Sequence, residues 1–138
     1  MNSFVRVLIG TLGVLATTAA TARAQKVHEV TLEANPEKDT YRFQPATVNA
    51  RPGDVVLFKV SSGAPHSIVF ESGGMSESAR EALNGAMTRR AGDLSSPLLT
   101  SQGSQYRLVV PQIPPGVYRF YCLPHRAYDM RGQLRVTK

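Results

Sequence analysis

An all-β domain with one short helical insertion is the fold class this sequence predicts. Three observations carry it. Apolar and polar residues alternate with period two in several short stretches, as half-buried strands require. Turn-forming clusters such as Arg51-Pro52-Gly53-Asp54 and Pro111-Gln112-Ile113-Pro114-Pro115-Gly116 separate those stretches. One segment, about 71–94, breaks the alternation and contains good helix formers.

The elements follow in chain order. Val27 to Ala34 places Val30 and Leu32 on one face and Glu29 and Glu33 on the other. Tyr41 to Ala50 is a second strand region, broken at Pro45, which predicts an edge or a kink there. After the Pro52-Gly53 turn, Val55 to Val60 is a dense β-branched and aromatic strand, polar only at Lys59. Ser61 to Pro65 is a loop that delivers His66, and Ser67 to Phe70 continues as a strand. Within 71–94, Ser76 to Leu83 combines helix formers with an acidic first turn, predicting one or two short helices on the surface. Strands resume at Gln105 to Val110, at Val117 to Cys122, and at Met130 to Thr137.

The N-terminus reads as an export signal. Residues 1–6 give a short basic start, and 7–16 are apolar but too short to span a bilayer. Ala22-Arg23-Ala24 then forms a small-residue cleavage pattern. The expectation is a cleavable signal peptide over 1–24, a single domain over 25–138 and a periplasmic location, with no membrane insertion after cleavage. The competing reading is a membrane anchor. Removing Arg6 and Arg23 from the 16 Lys and Arg leaves 14 against 10 Asp and Glu, a net charge of +4 for the exported part. The basic residues are scattered and never run beyond a pair, so this is not a nucleic-acid signature.

The chemistry concentrates near the C-terminus. Cys122 is the one cysteine, followed by His125 and Met130 within the run Phe120-Tyr121-Cys122-Leu123-Pro124-His125-Arg126-Ala127-Tyr128-Asp129-Met130. A single thiol in an oxidising compartment has three readings: an inert buried residue, a nucleophile or a metal ligand. The flanking His and Met favour the ligand. A blue-copper geometry takes two His, one Cys and a distant axial Met. Apart from His28, near the start of the exported part, the remaining histidine is His66, so His66, Cys122, His125 and Met130 are the candidate metal set. Zinc prefers four firm ligands and a thioether is a poor one. A Cys-His hydrolase is the catalytic alternative, but no orienting third residue is evident.

Period-two alternation is consistent with that set. Cys122 is in phase with Tyr118 and Phe120, Met130 with Leu134 and Val136, and His66 with Ile68 and Phe70. His125 comes from the loop between the last two strands. Met75 and Met87 in the helical insertion suggest packing residues rather than a second, copper-storing site.

These residues resemble the plastocyanin and pseudoazurin branch of the cupredoxins. The likeness lies in Cys122-x-x-His125-x-x-x-x-Met130, in Gly116-x-Tyr118-x-Phe120 before it, and in Pro65-His66-Ser67-Ile68-Val69-Phe70 upstream. Phe43-x-Pro45-x-x-Val48 through Gly53-Asp54-x-Val56-x-Phe58 is similar to the family's N-terminal half. The resemblance implies a Greek-key β-sandwich, one type 1 copper ion and one-electron transfer between larger redox proteins, and no enzymatic activity of its own. It implies a short copper–sulfur bond from Cys122, a trigonal plane completed by His66 and His125, and a weak axial Met130. The partners would be a donor and an acceptor such as a cytochrome, reaction centre, oxidase or reductase, met by a monomer. A copper chaperone of the same fold is the alternative, and a His- and Met-rich tail would favour it; this chain has none. Two departures from the family stand out. Arg126-Ala127-Tyr128-Asp129 occupies a ligand loop where small residues are common, and Ser67 stands where Asn often ties the two ligand loops together.

Overall fold

The computed structural model describes residues 23–138. The expected signal segment lies, but for Arg23 and Ala24, outside the described residues. Eight strands and one helix follow in the order β1 (Val27–Asn35), β2 (Thr40–Gln44), β3 (Thr47–Ala50), β4 (Val55–Val60), β5 (Val69–Phe70), α1 (Glu77–Ala86), β6 (Gln105–Val109), β7 (Gly116–Tyr121) and β8 (Arg131–Val136). They form two four-stranded sheets, β2-β1-β4-β6 and β3-β8-β7-β5. The expected all-β sandwich with a helical insertion is what the chain forms.

Pro45 marks more than a kink. β2 pairs with β1 in one sheet, while β3 pairs with β8 in the other. A proline cannot donate to a ladder, so this is where the chain can leave one sheet and enter the next. Each sheet contains one parallel pair, β1 with β4 and β3 with β8.

The core fills the space between the sheets. Phe120 sits at its centre, with Phe43, Phe58 and Phe70 all packed edge-on at 4.9 to 5.5 Å between ring centroids. Edge-to-face packing suits the ring quadrupole. Opposite Phe120 in the β7–β8 ladder is Gly132, where an added Cβ would fall 2.4 Å from the phenyl ring. The ring therefore occupies the volume a side chain would need, two residues from Cys122.

The insertion is a surface element, as expected, but one face of it sinks into the core. Ser76 caps α1 by accepting from the Ala79 N–H at 3.2 Å, which explains the helix start. Ala79, Leu83 and Met87 are buried in the main core, with Met75 packed against its edge. One helix forms rather than two. No helix among the described residues is long and apolar enough to cross a membrane.

The strand expected over Ser67 to Phe70 is shorter than the alternation suggested. Only Val69 and Phe70 pair with β7, opposite Tyr121 and Phe120. The preceding residues bond elsewhere. His66 exchanges both backbone hydrogen bonds with Leu99, and the Ile68 N–H donates to the Ser96 hydroxyl at 2.9 Å.

Candidate metal centre

The candidate residues come from two chain segments, the loop ending at His66 and the run from Cys122 to Met130, which meet at one pole of the sandwich. Cys122 follows the last residue of β7 and keeps that strand's inward phase, with Tyr118 and Phe120 buried behind it. Met130 immediately precedes β8 and is fully buried. The Cys122 N–H donates to the Met130 carbonyl at 3.0 Å, so the two positions are held side by side across the β7–β8 turn. His125 opens a single 3-10 turn over Arg126–Tyr128, which Asp129 ends in a left-handed conformation at φ 55. His66 arrives from the 61–65 loop and is fully buried.

Three of the four side chains converge. Single donor atoms of His66, Cys122 and His125 lie within 4.8 Å of one another. The Cys122 Sγ is 3.6 Å from the His66 Nδ1 and 3.5 Å from the His125 Nδ1. The histidine rings approach at 4.8 Å between centroids. Met130 stands beside this group through its backbone bond to Cys122. His28, the other histidine, is elsewhere and bonds to Asp54 at 3.2 Å.

The orientation of His66 has a local cause. Its Nε2–H donates to the Ser62 carbonyl at 2.7 Å, which leaves Nδ1 as the acceptor facing the sulfur. The same carbonyl accepts from the Ala34 N–H at 3.2 Å, at the end of β1. Between Ser62 and His66, Gly63 lies at φ 65, and a Cβ there would stand 2.3 Å from the Ala34 oxygen. Only glycine lets the loop pass this close to β1.

A second link joins the two segments directly. The Leu123 N–H donates to the hydroxyl of buried Ser67 at 3.1 Å, across 56 residues of sequence. Ser67 thus departs from the family's Asn yet still ties the two ligand segments. The hydroxyl reaches because the loop and turn are already close.

The electrostatics suit a cation. Burial pushes the Cys122 thiol up, and the backbone N–H groups of Ser67 and His125 offset only part of that rise. Burial lowers His66, against the opposing Ser62 bond, and lowers His125 together with the neighbouring His66. Both imidazoles are thus held neutral at pH 7, the ligating form. A thiol that resists ionising on its own loses its proton outright to a bound metal. Two imidazole nitrogens and a thiol in one largely buried pocket, beside buried Met130, are the soft and borderline donors that copper takes in both oxidation states, so the residues present fit that ion.

Comparison with known proteins agrees. The profile of copper binding proteins of the plastocyanin/azurin family matches residues 28–137. The chain belongs to this family. It is a cupredoxin, a blue-copper electron carrier with one type 1 copper ion, and not an enzyme. It is similar to plastocyanin of Vicia faba, 30% identical over 69% of this chain and 87% of that protein. It is also similar to plastocyanin of Prochlorothrix hollandica, 28% identical over 97% of this chain and 88% of the other. Among solved structures, oxidised plastocyanin of Dryopteris crassirhizoma superposes with a TM-score of 0.63 at 26% identity, covering 80% of this chain and all of that one.

Several contributors to this pole of the cupredoxin lay beyond the sequence reading. Leu99 pairs with His66 but sits in Ser95 to Thr100, which has no strand periodicity. Ser62 acts through its carbonyl, which any residue supplies. Tyr41 stacks on Tyr128 at 4.0 Å and 10° between planes, and its ring centroid lies 5.4 Å from that of His125. The unusual Tyr128 was visible in the sequence. Its partner in another sheet was not.

Proposed function

We propose that His66, Cys122, His125 and Met130 hold the copper ion, with Met130 as the weak axial donor. The observation that carries this reading is the convergence of the His66, Cys122 and His125 donor atoms within 4.8 Å in a largely buried pocket. When bound, copper supplies a one-electron couple between Cu(I) and Cu(II). The protein's residues keep the ligand positions fixed, exclude water from the thiol, and offer an approach. His125 is half-buried, while Leu123 and Pro124 beside it are exposed, so a redox partner can reach the ring edge without displacing protein. A rigid pocket changes little between oxidation states, which keeps reorganisation small.

The carrier is read as exported to the periplasm, with cleavage after Ala24, and as acting as a monomer between a donor and an acceptor such as a cytochrome, reaction centre, oxidase or reductase. Support comes from the N-terminal pattern and from the +4 net charge of the 25–138 chain. N-terminal sequencing of the exported protein should begin at Gln25.

The test of the ligand set is spectroscopic. The protein loaded with Cu(II) should be intensely coloured by sulfur-to-copper charge transfer, and Cys122→Ser should abolish the colour. A coloured Cys122→Ser protein would show that the thiolate is not a ligand.

A further inference from the structure

His125 is the most exposed of the four candidate ligands, and it stands on a turn rather than a strand. Such a ligand needs an external hold. Tyr128, in the same 3-10 turn, is 54% exposed as a residue, yet its ring stacks on Tyr41 at 4.0 Å, nearly parallel at 10°. Tyr41 lies on β2, in phase with buried Phe43, and packs against the core edge. β2 belongs to the sheet that does not contain β7 or β8. The stack therefore fastens the ligand turn of one sheet to an edge strand of the other.

The geometry points to Tyr41 and Tyr128 as an aromatic latch, a pair of positioning residues that holds the His125 turn in its metal-binding conformation. Three facts combine. Tyr41 meets both His125, at 5.4 Å between centroids, and Tyr128, so it is the common backing of ligand and turn. The Tyr128 N–H donates to the His125 carbonyl at 3.1 Å, so a shift of Tyr128 is transmitted to the ligand's own backbone. The Met130 N–H reaches the same carbonyl at 3.5 Å, which links the latch to the fourth candidate ligand. The bulky residue in the ligand loop thus lies flat against Tyr41 while keeping its outer side exposed, and it braces the loop.

The inference rests on the copper assignment above, and its experiment separates the two. Tyr128→Ala, Tyr128→Phe and Tyr41→Leu would be compared with the parent protein in two states. In the metal-free state, relaxation of the His125 ring carbon and proton signals reports its mobility. In the Cu(I) state, the rate of copper loss to an excess of chelator reports how firmly the ligand is held. An aromatic stack of this kind corresponds to about a two- to tenfold change in rate when lost. Tyr128→Ala and Tyr41→Leu should mobilise the metal-free His125 ring and speed copper loss by about that factor, and Tyr128→Phe should match the parent in both. A drop in thermal midpoint with unchanged ring mobility and copper loss would assign the pair a purely structural role and overturn the latch. If the parent protein takes up no coloured copper, the copper assignment fails, while the ring mobility still decides the latch.

Discussion

Gly63→Ala is the perturbation that tests how the His66 loop is held. Gly63 lies at φ 65, where an L-residue carries a left-handed strain of roughly 1–2 kcal/mol. Its Cβ would also stand 2.3 Å from the Ala34 carbonyl oxygen and 2.4 Å from the Ala34 side chain. Neither neighbour is a flexible chain end, so the loop itself must move, and overpacking of this kind adds about 1–3 kcal/mol. Gly53→Ala is the control. Gly53 also has positive φ, at 90, but nothing lies within 4 Å of its would-be Cβ. It should therefore show the backbone strain alone. At ~4 °C per kcal/mol for a domain of this size, Gly63→Ala should melt ~4–12 °C below Gly53→Ala. The assay is thermal unfolding of the metal-free proteins, with the Cu(II) spectrum recorded alongside. Moving the loop outward breaks the Ala34–Ser62 bond that sets the Ser62 carbonyl, so the Gly63→Ala spectrum should shift while the Gly53→Ala spectrum stays as in the parent. Equal melting and identical spectra for the two variants would refute the argument that loop packing on β1 aims His66.

Met130→Leu keeps volume and apolarity at a fully buried position, and losing the thioether should disfavour the more charged Cu(II) state. The potential should rise by on the order of 59 mV, equivalent to about 1.4 kcal/mol; voltammetry showing no rise would count against an axial Met130. Burial alone would raise the Asp54 carboxyl, but the Arg51 N–H, the His28 ring and the Lys26 N–H, all within the 25–138 chain, hold it below the carboxylate range. Its stabilisation is present above its unfolded value of about 3.9 and is lost as pH falls below that, so Asp54→Asn should flatten the acid limb of a stability-against-pH curve below about pH 4; an unchanged limb would refute the assignment. Arg126→Glu should slow electron transfer to an acidic partner at low salt but not at high salt, with the copper spectrum unchanged. A loss equal at all salt concentrations would reject charge steering through this face.

That last test falls on Arg126 rather than Arg131 for a structural reason. Both arginines flank the ligand turn in sequence. Arg131, however, bonds Asp129 at 2.6 Å and also pairs with Glu71. Its charge is largely neutralised locally. Arg126 instead is exposed, lies over the Tyr121 ring at 4.9 Å, and pairs with no carboxylate among the described residues. A steering contribution from this region therefore rests on Arg126, and Tyr121 beneath it belongs to the same face.

The sandwich and the candidate set were legible because both leave a periodic or clustered trace. Tyr118, Phe120 and Cys122 share one phase of β7, and His125 and Met130 follow within the same run. The Ser67 tie was legible only through the family resemblance, in which the residue after the first histidine often ties the two ligand loops. What stayed hidden depends on contacts distant in sequence. The helix was visible in 71–94, but not that Leu83 and Met87 reach the main core. Pro45 signalled an interruption, but a change of sheet is a property of pairing partners, which one strand does not encode. Leu99 pairs with His66 through backbone hydrogen bonds, which no side-chain pattern announces.

The hidden contacts share one consequence for the metal centre. Cys122 is the candidate ligand that a sheet strand itself aims, and each of the others needs a tether supplied from elsewhere. Met130 is set by its carbonyl's bond to the Cys122 N–H, His66 by Ser62 and through it Ala34 of β1, and His125 by its turn and the Tyr41 ring of β2. Two of these three tethers anchor in the β1–β2 side of the sandwich, whereas Cys122 and Met130 belong to the β7–β8 side. The site thus straddles both sheets, and its geometry is fixed only when they are packed together. Sheet packing and ligand geometry are then one cooperative property, and the closely packed Phe120 beneath Cys122 is where the two meet.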